Sequence, residues 1–235
     1  PFDGWFELGI LSLPLTFLWI VGVSNAINLI DGLDGLAAGV SGIAATTLGI
    51  VSLMQGQITV ALAAFILVAA LAGFLPYNFH PAKTFMGDGG SNFLGFVLAC
   101  LSIMGTAKSA AVISLFVPIV ILGIPIFDTF FAIIRRINNR TPIFLPDKAH
   151  LHHRLMALGM SHRRSVLIIY GISAFFSAVA VILTFITRPN FTLIIALLLL
   201  TIVVLAADKI GMFTGEKSRA RSGIVRQGQT HRLKL

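Results

Sequence analysis

The chain has 235 residues, of which 57% are apolar and only 11% are charged, and its mean hydropathy is +0.94. A soluble domain carries about 25% charged residues, so this composition excludes a water-soluble globular protein. It equally excludes a disordered chain, and the single cysteine, Cys100, excludes a disulfide-stabilised secreted scaffold. What remains is an all-α, polytopic integral membrane protein, because helices satisfy their own backbone groups in lipid.

Seven stretches are apolar enough to be transmembrane helices, which need about 20 residues each. In chain order they cover residues 9–30, 36–54, 58–76, 92–106, 110–134, 166–187 and 190–207. The second and third come from one uncharged run, residues 35–82, with a polar hinge at 55–57. Residues 1–207 are thus expected to form one transmembrane domain, and 208–235 a basic, disordered cytoplasmic tail.

The basic residues predict how the protein is oriented. If the first span ends in the cytoplasm, 15 of the 17 Lys and Arg residues lie in the cytoplasmic segments, which are 31–35, 77–91, 135–165 and 208–235. The opposite side keeps only Lys108 and Arg188. Since Lys and Arg accumulate in cytoplasmic loops, we expect the C-terminus inside. The net charge of +8 then reflects topology and contact with anionic lipid, and predicts no nucleic-acid partner.

Five of the nine acidic residues lie near the predicted cytoplasmic ends of spans: Asp31, Asp34, Asp88, Asp128 and Asp147. An ionisable residue within a membrane segment costs about 3 kcal/mol or more, so each indicates a functional site. For Asp128, structural pairing with a basic residue and a catalytic role both stay open.

The first polar cluster is NAINLIDGLDGLAAG, residues 25–39. Its polar side chains recur every third residue, at Asn25, Asn28, Asp31 and Asp34. Neighbouring members therefore share a helix face, and Gly32 and Gly35 open the backbone toward a ligand. Oxygen ligands at a helix end favour Mg²⁺ with a phosphate. The alternatives are a Ca²⁺ loop, whose ligand spacing is absent, and a polar turn that only caps two helices.

The second cluster is YNFHPAKTFMGDGGSNFLGF, residues 77–96. Asp88 lies between glycines, and Ser91 or Asn92 is expected to cap the next span. A glycine-rich segment before a helix favours an anion. Because a carboxylate would repel that anion, a metal bridging the two fits better, and a simple turn capped by Asp88 is the alternative.

The third cluster is PDKAHLHHRL, residues 146–155, in the most basic predicted loop. Its basic side chains suit a diphosphate, and they are Lys148, His150, His152, His153 and Arg154. A zinc site and a merely solvated basic loop are the alternatives. The remaining histidines, His80, His162 and His231, lack such company, and His162 and His231 are expected at the surface.

The three clusters together resemble the polyprenyl-phosphate N-acetylhexosamine-1-phosphate transferases, bacterial membrane enzymes, over about residues 5–210. The matching motifs are NxxNxxDGxDGLAxG, FMGDxGSxxLGF and PDxxHLHHRL. The His-Leu-His-His form is similar to the branch that uses UDP-N-acetylglucosamine (UDP-GlcNAc), and within it to the Gram-positive enzymes that begin teichoic-acid linkage units.

The resemblance implies transfer of GlcNAc-1-phosphate to undecaprenyl phosphate at the cytoplasmic face of the plasma membrane, with release of UMP. It also implies Mg²⁺, with Mn²⁺ as an alternative, and a homodimer is a further possible assembly. By the same analogy, Asp88 and Asp31 bind the metal, and Asn28 orients Asp31. The implied uridine pocket consists of Gly32, Leu33, Asp34, Asn78 and Phe85, with Phe85 stacking on uracil. The residues implied to bind the diphosphate or sugar phosphate are His150, His152, His153 and Arg154. Of these, His152 and His153 are expected to be catalytic, together with Asp31 and Asp88.

Members of that family have about eleven spans and an Asp-Asp pair in an earlier loop. This chain has no Asp-Asp pair, and its seven predicted spans would match the last seven. The resemblance therefore leads us to expect further spans upstream of Pro1, without which the transfer activity is in question.

Three other functions stay open. A related transferase could use UDP-MurNAc-pentapeptide, although its His-rich loop is usually arranged differently. A CDP-alcohol phosphotransferase needs an Asp-Gly motif that continues to an Arg, whereas Asp31-Gly32 continues to Leu-Asp-Gly. A transporter would carry carboxylates at the membrane midplane, whereas the acidic residues here are predicted at one face.

Overall fold

The computed structural model describes residues 9–106, 111–142, 150–186 and 189–211. Within these ranges the regular secondary structure is all helical, without strands, and a short 3₁₀ turn, Gly9–Leu11, precedes the first helix. The α-helices are α1 (Ser12–Ile30), α2 (Leu36–Met54), α3 (Ile58–Asn78), α4 (Gly87–Thr106), α5 (Ala111–Ile121), α6 (Gly123–Asn138), α7 (Leu151–Ala157), α8 (His162–Phe185) and α9 (Pro189–Ile210).

Five of these helices, α1 to α4 and α8, are long and apolar enough to cross a bilayer. The protein is therefore an all-α, multi-pass membrane protein, as its composition predicts. The hinge between the second and third spans is also confirmed, since α2 ends at Met54 and α3 begins at Ile58. Gly56 makes the turn with a φ of +70°, a conformation that glycine adopts without steric cost.

The predicted fifth span is wrong in one respect, because residues 110–134 are not one helix. The chain breaks at Leu122 into α5 and α6, each too short to count as a span alone. Pro125 cannot donate a backbone hydrogen bond to the turn before it, so the helix is interrupted there, and proline is tolerated in the first turn of α6.

Two predicted boundaries also differ from the structure. The fourth span begins at Gly87 rather than residue 92, so Ser91 and Asn92 lie inside α4 and are not its caps. Their side chains instead donate to backbone carbonyls of the first turn, and Asp88 itself lies in that turn. In addition, α9 continues to Ile210, so residues 208–210 are helical rather than part of a disordered tail. The rest of the predicted tail, residues 212–235, lies outside the described residues.

Helix α2 forms the centre of the bundle and contacts α3, α4 and α8. Within its most apolar 18 residues, 72% are buried, against 22% for α1. Small side chains allow this close approach, as is usual between transmembrane helices. At Gly39, for example, an added Cβ would overlap the ring of Tyr170 in α8. Helix α1 packs on α4 in the same way, because a Cβ at Gly95 would lie 2.5 Å from the backbone of Ser24.

Candidate active site

A turn and a loop at one end of the bundle are joined by Asn78, the last residue of α3. Its side-chain oxygen accepts a hydrogen bond from the backbone N–H of Gly35 at 3.1 Å, and its amide donates to the carbonyl of Thr84 at 3.0 Å. Asn78 is only 3% exposed. Gly35 has a φ of +79° and begins α2. The turn 31–35 and the segment 79–86 are thus held in one fixed relation.

The two carboxylates predicted to bind a metal both lie at this end and interact electrostatically. Asp31 follows the last turn of α1, and Asp88 lies in the first turn of α4. The amide of Asn28 donates to Asp88 at 3.2 Å and to the hydroxyl of Ser91 at 2.9 Å. Burial and then the charge of Asp88 raise the pKa of Asp31 above its ordinary value. Two oxygen donors that repel each other are a fitting pair of ligands for a hard cation such as Mg²⁺.

Asn28 therefore contacts Asp88, whereas the resemblance implied that it orients Asp31. The contact spans 60 residues of sequence and links α1 to α4. It brings the first and second motifs together, as the resemblance implies.

Asp34 belongs to a different group of side chains. One of its carboxylate oxygens lies 2.9 Å from Nδ1 of His80 and accepts the backbone N–H of Ala82 at 3.2 Å. The ring of His80 stacks on His162 with centroids 4.2 Å apart. Burial opposes the ionisation of Asp34, but these two hydrogen bonds and the nearby His162 and His80 outweigh it and lower its pKa.

The expectation that His162 is a surface residue is therefore wrong. Its side chain is half-buried against His80, because α8 begins beside the segment 79–86. The two histidines are 82 residues apart in the sequence, and the only local signal was that each lies in a predicted cytoplasmic segment, His80 in 77–91 and His162 in 135–165.

The His-rich helix α7 is anchored by Asp128 of α6. Nδ1 of His150 lies 2.9 Å from one Asp128 oxygen, and the other oxygen accepts the backbone N–H of Leu151 at 2.9 Å. Both side chains are buried, at 3% and 4% exposure. Asp128 is thus paired with a histidine and a helix N-terminus. Asp147 and Lys148, predicted in the same region, lie outside the described residues.

His152 points from α7 at the first motif. A Cβ added at Gly32 would lie 2.4 Å from Nε2 of His152. The imidazole therefore occupies space that is free only because residue 32 is a glycine. Burial, followed by the neighbouring His153, lowers the pKa of His152 to about 4. The buried Nε2 has no hydrogen-bond partner among the described residues. At neutral pH it is therefore an uncharged imidazole beside the turn 31–35.

The remaining predicted residues divide into buried and exposed ones. Leu33 and Arg154 are buried, at 9% and 8% exposure. His153 is exposed and lies beside His152, with ring centroids 4.2 Å apart. Phe85 is 76% exposed, so its ring is available to a ligand. The described residues of all three motifs therefore gather at one end of the bundle.

An apolar cavity of about 240 Å³ lies beside this end, between α6, α8 and α9. Asp128 and Leu151 form its wall next to α7. The rest of the lining is hydrophobic, and it includes Phe127, Phe175, Ile202 and Ala206. Sequence patterns did not predict this cavity, because its residues belong to helices that are distant in the chain.

Comparison with known proteins identifies relatives of the whole helical region. Residues 1–106 match the model of glycosyl transferase family 4. The chain is 51% identical over 210 residues to the probable undecaprenyl-phosphate N-acetylglucosaminyl 1-phosphate transferase of Bacillus subtilis, covering 89% of this chain and 57% of that protein. It is 42% identical over 189 residues to the decaprenyl-phosphate N-acetylglucosaminephosphotransferase of Mycobacterium leprae, covering 71% and 48%.

A relative of a second type is the phospho-N-acetylmuramoyl-pentapeptide-transferase of Halalkalibacterium halodurans, 38% identical over 183 residues. That match covers 77% of this chain and 52% of the relative. The chain thus spans about half the length of the curated relatives it matches. The resemblance predicted from the three motifs is confirmed, because residues 1–106 match the glycosyl transferase family 4 model and most of the chain is similar to a probable undecaprenyl-phosphate N-acetylglucosaminyl 1-phosphate transferase.

Proposed function

We propose that the complete protein transfers GlcNAc-1-phosphate from UDP-GlcNAc to undecaprenyl phosphate and releases UMP. The observation that carries this proposal is the meeting of the three motifs at one end of the bundle, where Asn28 contacts Asp88 and His152 faces Gly32. Relatives that are 51% and 42% identical to this chain are named for the same transfer to undecaprenyl or decaprenyl phosphate.

The reaction is a phosphoryl transfer in which the protein needs no nucleophile of its own. An oxygen of the lipid phosphate attacks the phosphorus next to the sugar, and the bond from that phosphorus to the bridging oxygen breaks. UMP leaves with the electron pair. Such a reaction depends on positioning and on neutralising the phosphate charge. We assign the charge neutralisation on the protein side to Arg154, and hydrogen bonding to the phosphates to His150, His152 and His153.

Asp31 and Asp88 are the residues that would hold Mg²⁺. Their fit rests on an all-oxygen donor pair whose mutual repulsion raises the pKa of Asp31, after the effect of burial. When bound, Mg²⁺ would supply positive charge to the diphosphate. The role of Asn28 is to hold the Asp88 carboxylate in place through its 3.2 Å hydrogen bond.

The nucleotide would bind over the turn 31–35. Phe85 offers an exposed ring for stacking, and Gly32 and Leu33 offer backbone groups. Asn78 and Asp34 already make hydrogen bonds within the protein, so we assign them to shaping this pocket as well as to ligand contact.

The apolar cavity between α6, α8 and α9 is a suitable place for part of the isoprenoid chain. Its wall at Asp128 and Leu151 adjoins α7, so a lipid lying there would bring its phosphate toward the histidines. We further propose that this end of the bundle faces the cytoplasm of a bacterium and that the product begins a teichoic-acid linkage unit. The basic residues in the predicted cytoplasmic segments support that orientation.

The test uses the full-length protein in nanodiscs with undecaprenyl phosphate, Mg²⁺ and labelled UDP-GlcNAc or UDP-MurNAc-pentapeptide. We expect lipid-linked product and UMP from UDP-GlcNAc, and none with Asp88→Asn, which keeps the shape of the side chain but loses its charge. His152→Ala should bind Mg²⁺ like the wild type and use the donor poorly. Turnover of UDP-MurNAc-pentapeptide alone would replace the proposal by the alternative donor, and full activity of Asp88→Asn would refute the metal assignment.

A further inference from the structure

We propose that Asp34, His80 and His162 form a second cation site, which binds a transition metal of the Zn²⁺ type. This site shares no residue with the Asp31–Asp88 pair, although Asp34 also belongs to the proposed nucleotide pocket.

The three side chains are close enough to share one ion. Each offers one ligand atom, and these atoms all lie within 4.8 Å of one another. The shortest of the measured contacts is 2.9 Å, between a carboxylate oxygen of Asp34 and Nδ1 of His80. A tetrahedral zinc ion with bonds of about 2.0–2.1 Å holds neighbouring ligand atoms roughly 3.3 Å apart. Small side-chain movements would therefore close the triangle.

The chemistry of the donors favours a borderline metal over Mg²⁺. Two imidazoles and one carboxylate are a ligand set typical of zinc sites that keep an open position for water or substrate. The Asp31–Asp88 pair, in contrast, offers only oxygen and suits a hard cation. The two groups share no residue, so each can hold an ion of a different chemistry.

His162 provides an independent observation that points to a ligand. Its Nε2 atom is buried and has no hydrogen-bond partner among the described residues. An unsatisfied buried polar atom costs about 1–3 kcal/mol, and a metal ion removes that cost by accepting the nitrogen as a ligand. The rings of His80 and His162 are stacked with their planes 19° apart, so at least one ring must turn before both can direct a nitrogen at the same ion.

The surrounding hydrogen bonds orient the proposed ligands. The backbone N–H of Ala82 donates to the Asp34 carboxylate at 3.2 Å. Nε of Arg163 donates to the backbone carbonyl of His80 at 3.1 Å. Metal ligands are commonly held by such outer contacts, which fix the direction in which each donor atom points.

Binding at this site would connect three segments that are far apart in the sequence. Asp34 comes from the turn 31–35, His80 from the segment after α3, and His162 from the first residue of α8. One ion would therefore fasten α8 to the turn that precedes α2. We infer that the site stabilises this end of the bundle.

The test is metal binding to the purified full-length protein in nanodiscs, after removal of metal and with an affinity tag that contains no histidine. Zn²⁺ is titrated by calorimetry, and Co²⁺ is used as a spectroscopic substitute that reports tetrahedral nitrogen and oxygen ligands. We expect one Zn²⁺ per chain, the Co²⁺ spectrum of a tetrahedral site, and a higher thermal unfolding midpoint with the metal. Asp34→Asn, His80→Gln and His162→Gln should each weaken binding at least about tenfold.

His162→Gln is the decisive variant, because the orphaned Nε2 makes no hydrogen bond that its removal would break. Without metal this variant loses only the ring stack on His80, so its unfolding midpoint should stay close to that of the wild type. Asp31→Asn and His152→Gln are the matched controls, and both should bind Zn²⁺ as the wild type does. Unchanged affinity in His162→Gln, or loss of the site in Asp31→Asn or His152→Gln, would overturn the proposal.

Discussion

Nδ1 of His150 lies 2.9 Å from a carboxylate oxygen of Asp128, and this buried contact fastens the His-rich helix α7 to α6. The second oxygen of the same carboxylate accepts the N–H of Leu151, in the first turn of α7. Asp128 therefore determines both where α7 begins and how its first histidine is turned. We regard it as a positioning residue for the third motif.

Asp128→Asn should loosen α7, because an asparagine has one acceptor oxygen for two donors. The amide NH₂ group then faces either the N–H of Leu151, which loses its acceptor, or Nδ1 of His150, which must change tautomer to accept it. Leaving a buried donor unsatisfied costs about 1–3 kcal/mol, so we expect a lower unfolding midpoint and reduced transfer in the full-length protein. Thermal unfolding and the UMP-release assay measure the two effects.

The control for that variant is Asp208→Asn, which removes an exposed carboxylate from α9. It should change neither quantity measurably. If Asp128→Asn were as stable and as active as Asp208→Asn, the anchoring role of Asp128 would be excluded.

Gly32→Ala should displace His152, because the new Cβ would lie 2.4 Å from Nε2. A shift of about 1 Å at a reacting group can lower the rate about 100-fold, so we expect a loss of that order in kcat. Gly42→Ala, in α2, is the matched control, since nothing lies within 4 Å of a Cβ there. Steady-state kinetics of both variants check this, and equal rates would show that His152 does not need its present position.

The sequence predicts much of this end of the molecule because motif residues are adjacent along the chain. Asp31, Gly32 and Asp34 form one turn, as the glycine interruption after α1 indicates. The contacts between motifs were not predictable. Asn28 reaches Asp88 only because α1 packs on α4. That packing needs a glycine at position 95, because the backbone of Ser24 leaves no room for a Cβ there. The sequence around Gly95 does not show which backbone lies against it.

Phe85→Ala should weaken the binding of UMP and UDP-GlcNAc. Stacking of a base on an aromatic ring contributes about 1–3 kcal/mol, which corresponds to roughly 5- to 150-fold in Kd. Phe93→Ala removes a similarly exposed ring from α4 and should leave nucleotide affinity unchanged. Isothermal calorimetry with UMP compares the two variants, and equal affinities would assign Phe85 to lipid contact instead.

Ala206→Phe should fill part of the apolar cavity and exclude the isoprenoid chain. Ala206 lines that cavity and is otherwise exposed, so the larger side chain can be accommodated without disturbing the core. We expect KM for undecaprenyl phosphate to rise roughly fivefold or more, because overpacking costs about 1–3 kcal/mol, while KM for UDP-GlcNAc stays constant.

Leu205→Phe is the control for the cavity. Leu205 precedes Ala206 in α9, but its side chain is exposed and does not line the cavity. It should leave both KM values unchanged. A rise in KM for UDP-GlcNAc in Ala206→Phe, or none for the lipid, would mean that the isoprenoid chain lies elsewhere.

Single cysteines should reveal which end of the bundle faces the cytoplasm. In a Cys100→Ser background, an impermeant maleimide added to intact cells should not label Lys83→Cys or Ser161→Cys. It should label Gln55→Cys, in the turn between α2 and α3 at the opposite end. The reverse pattern would separate the predicted nucleotide site from cytoplasmic UDP-GlcNAc.

The break at Leu122 and the pairing of His80 with His162 mark where sequence patterns reach their limit. A run of apolar residues predicts that a segment lies in the membrane, but two prolines and a glycine within it decide whether one helix or two result. Likewise, no periodicity reveals that a histidine beginning α8 stacks on one that follows α3, because that pairing arises from the order in which helices surround α2.

The central place of α2 has a consequence for the biogenesis of the protein. Tyr170 of α8 covers Gly39 and donates a hydrogen bond to the carbonyl of Gly35, 135 residues earlier in the chain. During synthesis, α2 and the turn 31–35 therefore enter the membrane long before the helix that completes their packing. Until then, lipid or an insertion chaperone must shield the glycine-rich face of α2. Assembly finishes late, and a ribosome stalled ahead of α8 would leave a chain with all its first and second motif residues but no closed bundle around them.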